Sequence, residues 1–177
     1  GLPGLALPGT DEPGLEATMN YAPESLTYCN GTHVAEVDVD PETGEVFVVN
    51  YVVVHDSGLM INPMIVRGQI QGGITQGIGQ ALSEGVTYDD VAMPQQTSLM
   101  TYGIPGSEGT PAFVLENFET PSPTNPLGIK GIGELPTVAS PVAVANAVAD
   151  ALAQAGASSA GVDMPLTHER VWRALVS

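Results

Sequence analysis

Residues 33–56 read HVAEVDVDPETGEVFVVNYVVVHD, and two patterns within them set the fold class. In the first part, Ala35, Val37 and Val39 alternate with Glu36, Asp38 and Asp40, the two-residue period of a strand with one dry and one wet face. Pro41-Glu42-Thr43-Gly44 then makes a turn: proline presets a negative φ, and Gly44 can take the positive φ that closes it. The return stretch, EVFVVNYVVVHD, is almost continuously β-branched or aromatic, which predicts a strand buried on both faces. A β-hairpin follows.

Helical signals begin beyond it. In INPMIVRGQIQGGITQGIGQALSEG, Asn62 is a good N-cap, Pro63 a good first helical residue and Gly85 a natural stop. Gly68, Gly72, Gly73, Gly77 and Gly79 interrupt the apolar run, each costing about 1 kcal/mol against alanine, so a neighbouring backbone or a ligand must press on this helix. Residues 86–110 read as loop with short extended pieces. PAFVLENFETP follows as a strand, then the rigid SPTNP and the irregular GIKGIGELP. Ser140 and Pro141 mark the start of an alanine- and valine-rich helix ending at Gly156, and Thr167 caps a last short helix, THERVWRALV. The fold class is α+β: a hairpin and short strands packed with glycine-rich and alanine-rich helices. Residues 1–31, rich in Gly and Pro, read as an irregular lead-in to a unit over 32–177.

The 177 residues suffice for one domain or a piece of a larger one. Four Lys+Arg against 20 Asp+Glu leave a formal charge of −16, which phosphate backbones and anionic lipids repel, so nucleic acid is a poor partner. The lone Cys29 forms no disulfide framework and suits a reducing compartment. No run approaches the roughly 18 apolar residues of a membrane span. The first residues lack both a basic signal region and an initiating Met, as expected of a fragment or processed product.

Two stretches carry candidate chemistry. Gln69 and Gln76 are seven residues apart, which at about 100° per residue returns to within about 20° of the same helix face. Gly72 and Gly73 share that stretch. A carboxamide donates and accepts at once, which suits the edge of a heteroaromatic ring such as a pterin; two amides satisfying buried backbone is the plainer reading. In GIKGIGELP, Gly128, Gly131 and Gly133 permit tight paths around Glu134 between Pro126 and Pro136. Buried there, Glu134 could act as a general base; otherwise it is a solvated loop residue. Lys130 either pairs with Glu134 or anchors the loop. His33, His55 and His168 have no metal-like spacing, and Cys29 joins them in no ligand pattern. His55-Asp56 ends a strand, where active-site groups often lie, although a structural histidine is the commoner case.

Three separated stretches, VVVHDSGLMINPMIVRGQIQGGITQGIGQAL, TPSPTNPLGIKGIGELPTVASPVAVANAVADAL and VDMPLTHERVWRAL, together resemble the C-terminal part of the molybdenum-binding large subunit of the xanthine oxidase family of molybdenum hydroxylases. The closing DMPxTxxxVW pattern resembles the aerobic carbon monoxide dehydrogenase type. The likeness implies a cytoplasmic enzyme whose large subunit holds a molybdopterin cytosine dinucleotide, beside a medium subunit carrying FAD and a small subunit carrying iron–sulfur clusters, in a dimer of heterotrimers. It implies that Glu134, in KxxGE, is the base that takes a proton from a metal-bound hydroxyl. It also implies that Gln69, Gly72, Gly73 and Gln76 face the cofactor, with Gln76 in direct contact, and that Lys130 and Gly131 adjoin it. No protein metal ligand is expected. Family large subunits are several times longer, and Cys29 does not lie in the copper-binding loop of carbon monoxide dehydrogenases, so substrate is not legible. The reading opposed to an enzyme is a non-catalytic assembly module derived from such a subunit.

Overall fold

The computed structural model describes residues 18–22 and 25–177. The lead-in expected over 1–31 lies largely outside them. Among the described residues the order is β1 (Asn30–Val39), β2 (Val46–Asp56), α1 (Pro63–Leu82), a 3-10 turn (Ser107–Gly109), β3 (Phe113–Asn117), α2 (Leu135–Gln154) and α3 (His168–Val176).

β1 and β2 form the expected antiparallel hairpin, with Ala35 opposite Tyr51 and a register shift between Glu36 and Val37. Asp40 shapes the turn, accepting bonds from the Glu42 amide at 2.8 Å and the Thr43 hydroxyl at 2.9 Å. Gly44 closes it at φ 74°. β3 adds parallel to β2, Tyr51 opposite Phe113 and His55 opposite Asn117, giving a mixed sheet in the order β1-β2-β3. α1 lies in the crossover between β2 and β3, as parallel neighbours require.

One face of the sheet carries Val48, Tyr51 and Val53 into a core with Val66, Ile70, Ile74 and Ile78 of α1 and Val144 of α2. Val148 and Leu152 of α2 extend it to Val171 and Ala174 of α3. The other face is open. Val34, Val52 and Val114 are register partners across the three strands, and Val34 is 58% and Val114 52% exposed. The expectation that the return strand is buried on both faces therefore fails within this chain: its continuous apolar character serves one internal face and leaves the other uncovered.

α2 also departs from expectation. It opens at Leu135 rather than after Ser140, with Pro136 in the first turn, where a missing N–H is tolerated, and Pro141 inside the helix. Ser140 is fully buried and caps nothing; its hydroxyl donates to the Gly73 carbonyl at 3.3 Å. Packing against α1 outweighs the propensity signal. α2 is also apolar and long enough to pass as a membrane span by composition, contrary to the expectation of none, yet it packs on α1 and β1 as a core helix does.

Glycine spacing sets that packing. A side chain at Gly73 would strike the Pro136 ring, and one at Gly77 would strike Ser140 and Pro141. Positions four apart on α1 thus meet positions four apart on α2, so the helices run in the same direction and in step. Gly68 and Gly72 face outward, with nothing within 4 Å of the place a Cβ would occupy.

Candidate active site

The loop over 128–134 is held rigidly at its entrance. The Gly128 carbonyl accepts from the amides of Leu59 at 3.1 Å and Ser122 at 3.0 Å, while the Lys130 amide donates to the Ser57 carbonyl at 2.9 Å. Asn125 brackets Ile129, its Nδ2 donating to the Ile129 carbonyl at 2.9 Å and its Oδ1 accepting the Ile129 amide at 3.1 Å. The Lys130 ammonium lies 2.8 Å from Asp56 Oδ2, with both side chains about nine-tenths buried. The sequence left open whether Lys130 pairs with Glu134 or anchors the loop; it anchors the loop.

Asp56 is the residue that sequence reading undervalued. Besides the lysine, its Oδ1 accepts the amides of Gly58 at 2.9 Å and Thr120 at 3.1 Å. Burial works against its ionisation, but the bonds from Lys130, Gly58 and Thr120 outweigh burial and hold the carboxyl well below the usual carboxylate range. Nearby, His55 Nδ1, Ser57 Oγ and Asn117 Oδ1 are buried without partners among the described residues. Burial lowers the His55 pKa, with the Asp56 charge opposing, and burial lowers that of His33, whose Nδ1 lies 2.9 Å from the Tyr51 hydroxyl. Both imidazoles favour the neutral form.

Past Lys130 the loop leans on the core through the half-buried Ile132, while the glycines on either side of it are bare. Gly131 has open space where a Cβ would be, and Gly133 has only Gln69 Nε2 near, at 3.8 Å from that place. Glu134 directly precedes α2 in the N-cap position, makes no capping bond and is exposed, the solvated of the two settings the sequence left open. Three residues on, the Thr137 hydroxyl lies 3.5 Å from Gln76 Oε1. The two exposed amides of α1 therefore flank the segment bearing Glu134, on one open edge. Gly72 belongs to that edge. Gly73 does not: it lies beneath, filled by Pro136 and Thr137. Lys130 is committed to Asp56, and its backbone neighbour Gly131 remains accessible.

Such an edge suits a flat, heteroatom-rich group. Carboxamides offer donors and acceptors together, and bare backbone at Gly68, Gly72 and Gly131 lets a ring approach. Among the described residues no cluster of three His, Cys, Asp or Glu could hold a metal ion, so a metal here would have to arrive with its own ligands.

The chain belongs to the molybdopterin cofactor-binding domain family, which matches residues 5–111, and through its relatives to the xanthine oxidase family. It is 42% identical over 167 residues to the nicotine 6-hydroxylase large subunit of Paenarthrobacter nicotinovorans, covering 94% of this chain and 20% of that one. It is 40% identical to the carbon monoxide dehydrogenase large chain of Hydrogenophaga pseudoflava, covering 93% and 20%. Among solved structures, quinoline 2-oxidoreductase from Pseudomonas putida 86 matches with a TM-score of 0.85 at 44% identity, covering 94% of this chain and 21% of that one. A Cu,Mo-CO dehydrogenase matches with the same TM-score at 36% identity, over 94% and 21%. The chain thus spans about a fifth of the length of the curated relatives it matches. The α+β fold agrees with these structures.

Proposed function

We propose that residues 32–177 are the C-terminal portion of the molybdopterin-binding domain of a molybdenum hydroxylase large subunit, with Glu134 as its general base. The observation that carries the reading is the placement of Gln69 and Gln76 on either side of the segment bearing Glu134. The cofactor is the molybdopterin cytosine dinucleotide, shared with the remainder of the subunit. FAD and iron–sulfur clusters reside on medium and small partner subunits, the assembly is a dimer of heterotrimers, and the lone Cys29 accords with a cytoplasmic setting.

When bound, the cofactor supplies the oxidising centre and the oxygen that enters the substrate. This chain's residues do the rest. Gln69 and Gln76 donate and accept at the pterin edge, while Gly72 and Gly131 leave room for it. Glu134 takes up a proton on a carboxylate oxygen as the substrate carbon is attacked. The substrate is a small electrophile: carbon monoxide, an aldehyde or an N-heterocycle.

Glu134→Gln in the assembled, molybdenum-loaded enzyme keeps side-chain volume and removes the proton acceptor. Turnover falls by the general-base contribution, about 10²- to 10⁴-fold, with molybdenum content unchanged. Activity within about threefold of wild type in a fully loaded enzyme would refute the assignment and leave Glu134 a loop residue, as in a non-catalytic assembly module.

A further inference from the structure

We infer that the Asp56–Lys130 ion pair is a positioning device for Glu134, a role that rests on the proposed base. Between Lys130 and Glu134, Gly131 and Gly133 have no side chains and almost no neighbours, and the half-buried Ile132, packed against the core, is the side chain that holds the path between them. The place of Glu134 is set from both sides. Downstream, Leu135 and Pro136 open α2, and Pro136 is seated over Gly73. Upstream, Lys130, which Asp56 holds at 2.8 Å, fixes the start of the glycine-bearing stretch, and Ile132 rests on the core after it.

The pair also joins three segments. Asp56 Oδ2 takes Lys130, and Oδ1 takes Gly58 at the strand end and Thr120 after β3, so one carboxylate ties β2, the 118–122 connection and the glycine-rich loop. In a poorly hydrated place such a pair holds geometry more firmly than a surface pair does. Without it, Ile132 alone, set between two glycines, holds the approach to the base, and a displacement of about 1 Å there is expensive in rate. Lys130 thereby acts through Glu134 and need not touch the cofactor.

The test uses three variants: Lys130→Met, which keeps the stem and removes the charge, Lys130→Arg, which restores it, and Asp56→Asn. In the 177-residue chain, amide exchange at Leu59 and Lys130 quickens at least about 10-fold in Lys130→Met and Asp56→Asn, while Ile74 and Ile78 in α1 exchange as before. Lys130→Arg recovers most of the protection, and the Asp56→Asn/Lys130→Met double variant exchanges no faster than Lys130→Met alone. In the assembled enzyme, kcat falls in Lys130→Met with KM and molybdenum content unchanged, and recovers in Lys130→Arg. Unchanged loop exchange overturns the inference, and so does loosened exchange with wild-type kcat. Failure of the base itself is read separately, from Glu134→Gln with loop exchange left intact.

Discussion

Gly77→Ala would ordinarily strengthen a helix, since alanine gains about 1 kcal/mol over glycine in a helix interior. Here it should weaken the protein. The new methyl would overlap the Ser140 hydroxyl and come within 2.6 Å of Ser140 Cβ and 2.9 Å of Pro141 Cδ, approaches that real Cβ atoms do not make. Forcing such a methyl into a closed seam costs about 1–3 kcal/mol. Turning Ser140 aside gives up its bond to the Gly73 carbonyl, about 1 kcal/mol more. Against the propensity gain, the net loss is about 2 kcal/mol, or about 4–8 °C in Tm for a chain of this size. Gly68→Ala is the control on the same helix: its site is open, so the same methyl should add about 1 kcal/mol. Urea unfolding of the 177-residue chain measures both, and Ser140→Gly should recover part of the Gly77→Ala loss. If Gly77→Ala proved neutral or stabilising, the close seam between α1 and α2 would be wrong.

Two further outcomes are open to measurement. His33 and His55 both have pKa values lowered by burial, so their stability contribution is whole above the unfolded value of 6.5 and is lost as pH falls from there through the folded pKa. Asp56, held low, sheds its contribution in a later acid stage that starts near the ordinary carboxylate value of 3.8 and runs well below it; urea midpoints taken from about pH 8 to about pH 1.5 should fall in two stages, and a flat profile between about pH 7 and about pH 5 would rule out the histidine stage. Ala92 has φ 63° with its amide bonded to the Asp89 carbonyl, a left-handed conformation that glycine adopts freely, so Ala92→Gly should stabilise the loop by about 1 kcal/mol in calorimetry.

The hairpin was legible because its signals are local: an alternating strand, a proline-started turn and a glycine at the one position needing positive φ. The start of α2 was not. Ser140-Pro141 has the local form of a helix opening, and only the gaps on a helix distant in sequence explain why those residues lie mid-helix instead. Lys130 shows the same limit. Glu134 is its near neighbour along the chain, yet its partner is Asp56, brought close by the parallel addition of β3. The glycines of α1 looked alike in sequence, although Gly73 and Gly77 admit a helix and Gly68 and Gly72 face outward. Such long-range pairings leave no periodic trace.

The stepped meeting of α1 and α2 works like a key with two teeth. Pro136 and Ser140 enter the gaps at Gly73 and Gly77, and the next axial setting lies one turn away, about 5.4 Å. Sliding α2 forward one turn would bring Ser140 opposite Ala81, a fully buried residue that has a methyl where Gly77 has none. Sliding it back would bring Pro136 onto Gln69. Only one notch accepts both teeth, so the spacing between the α1 amides and the start of α2 is fixed by steric fit.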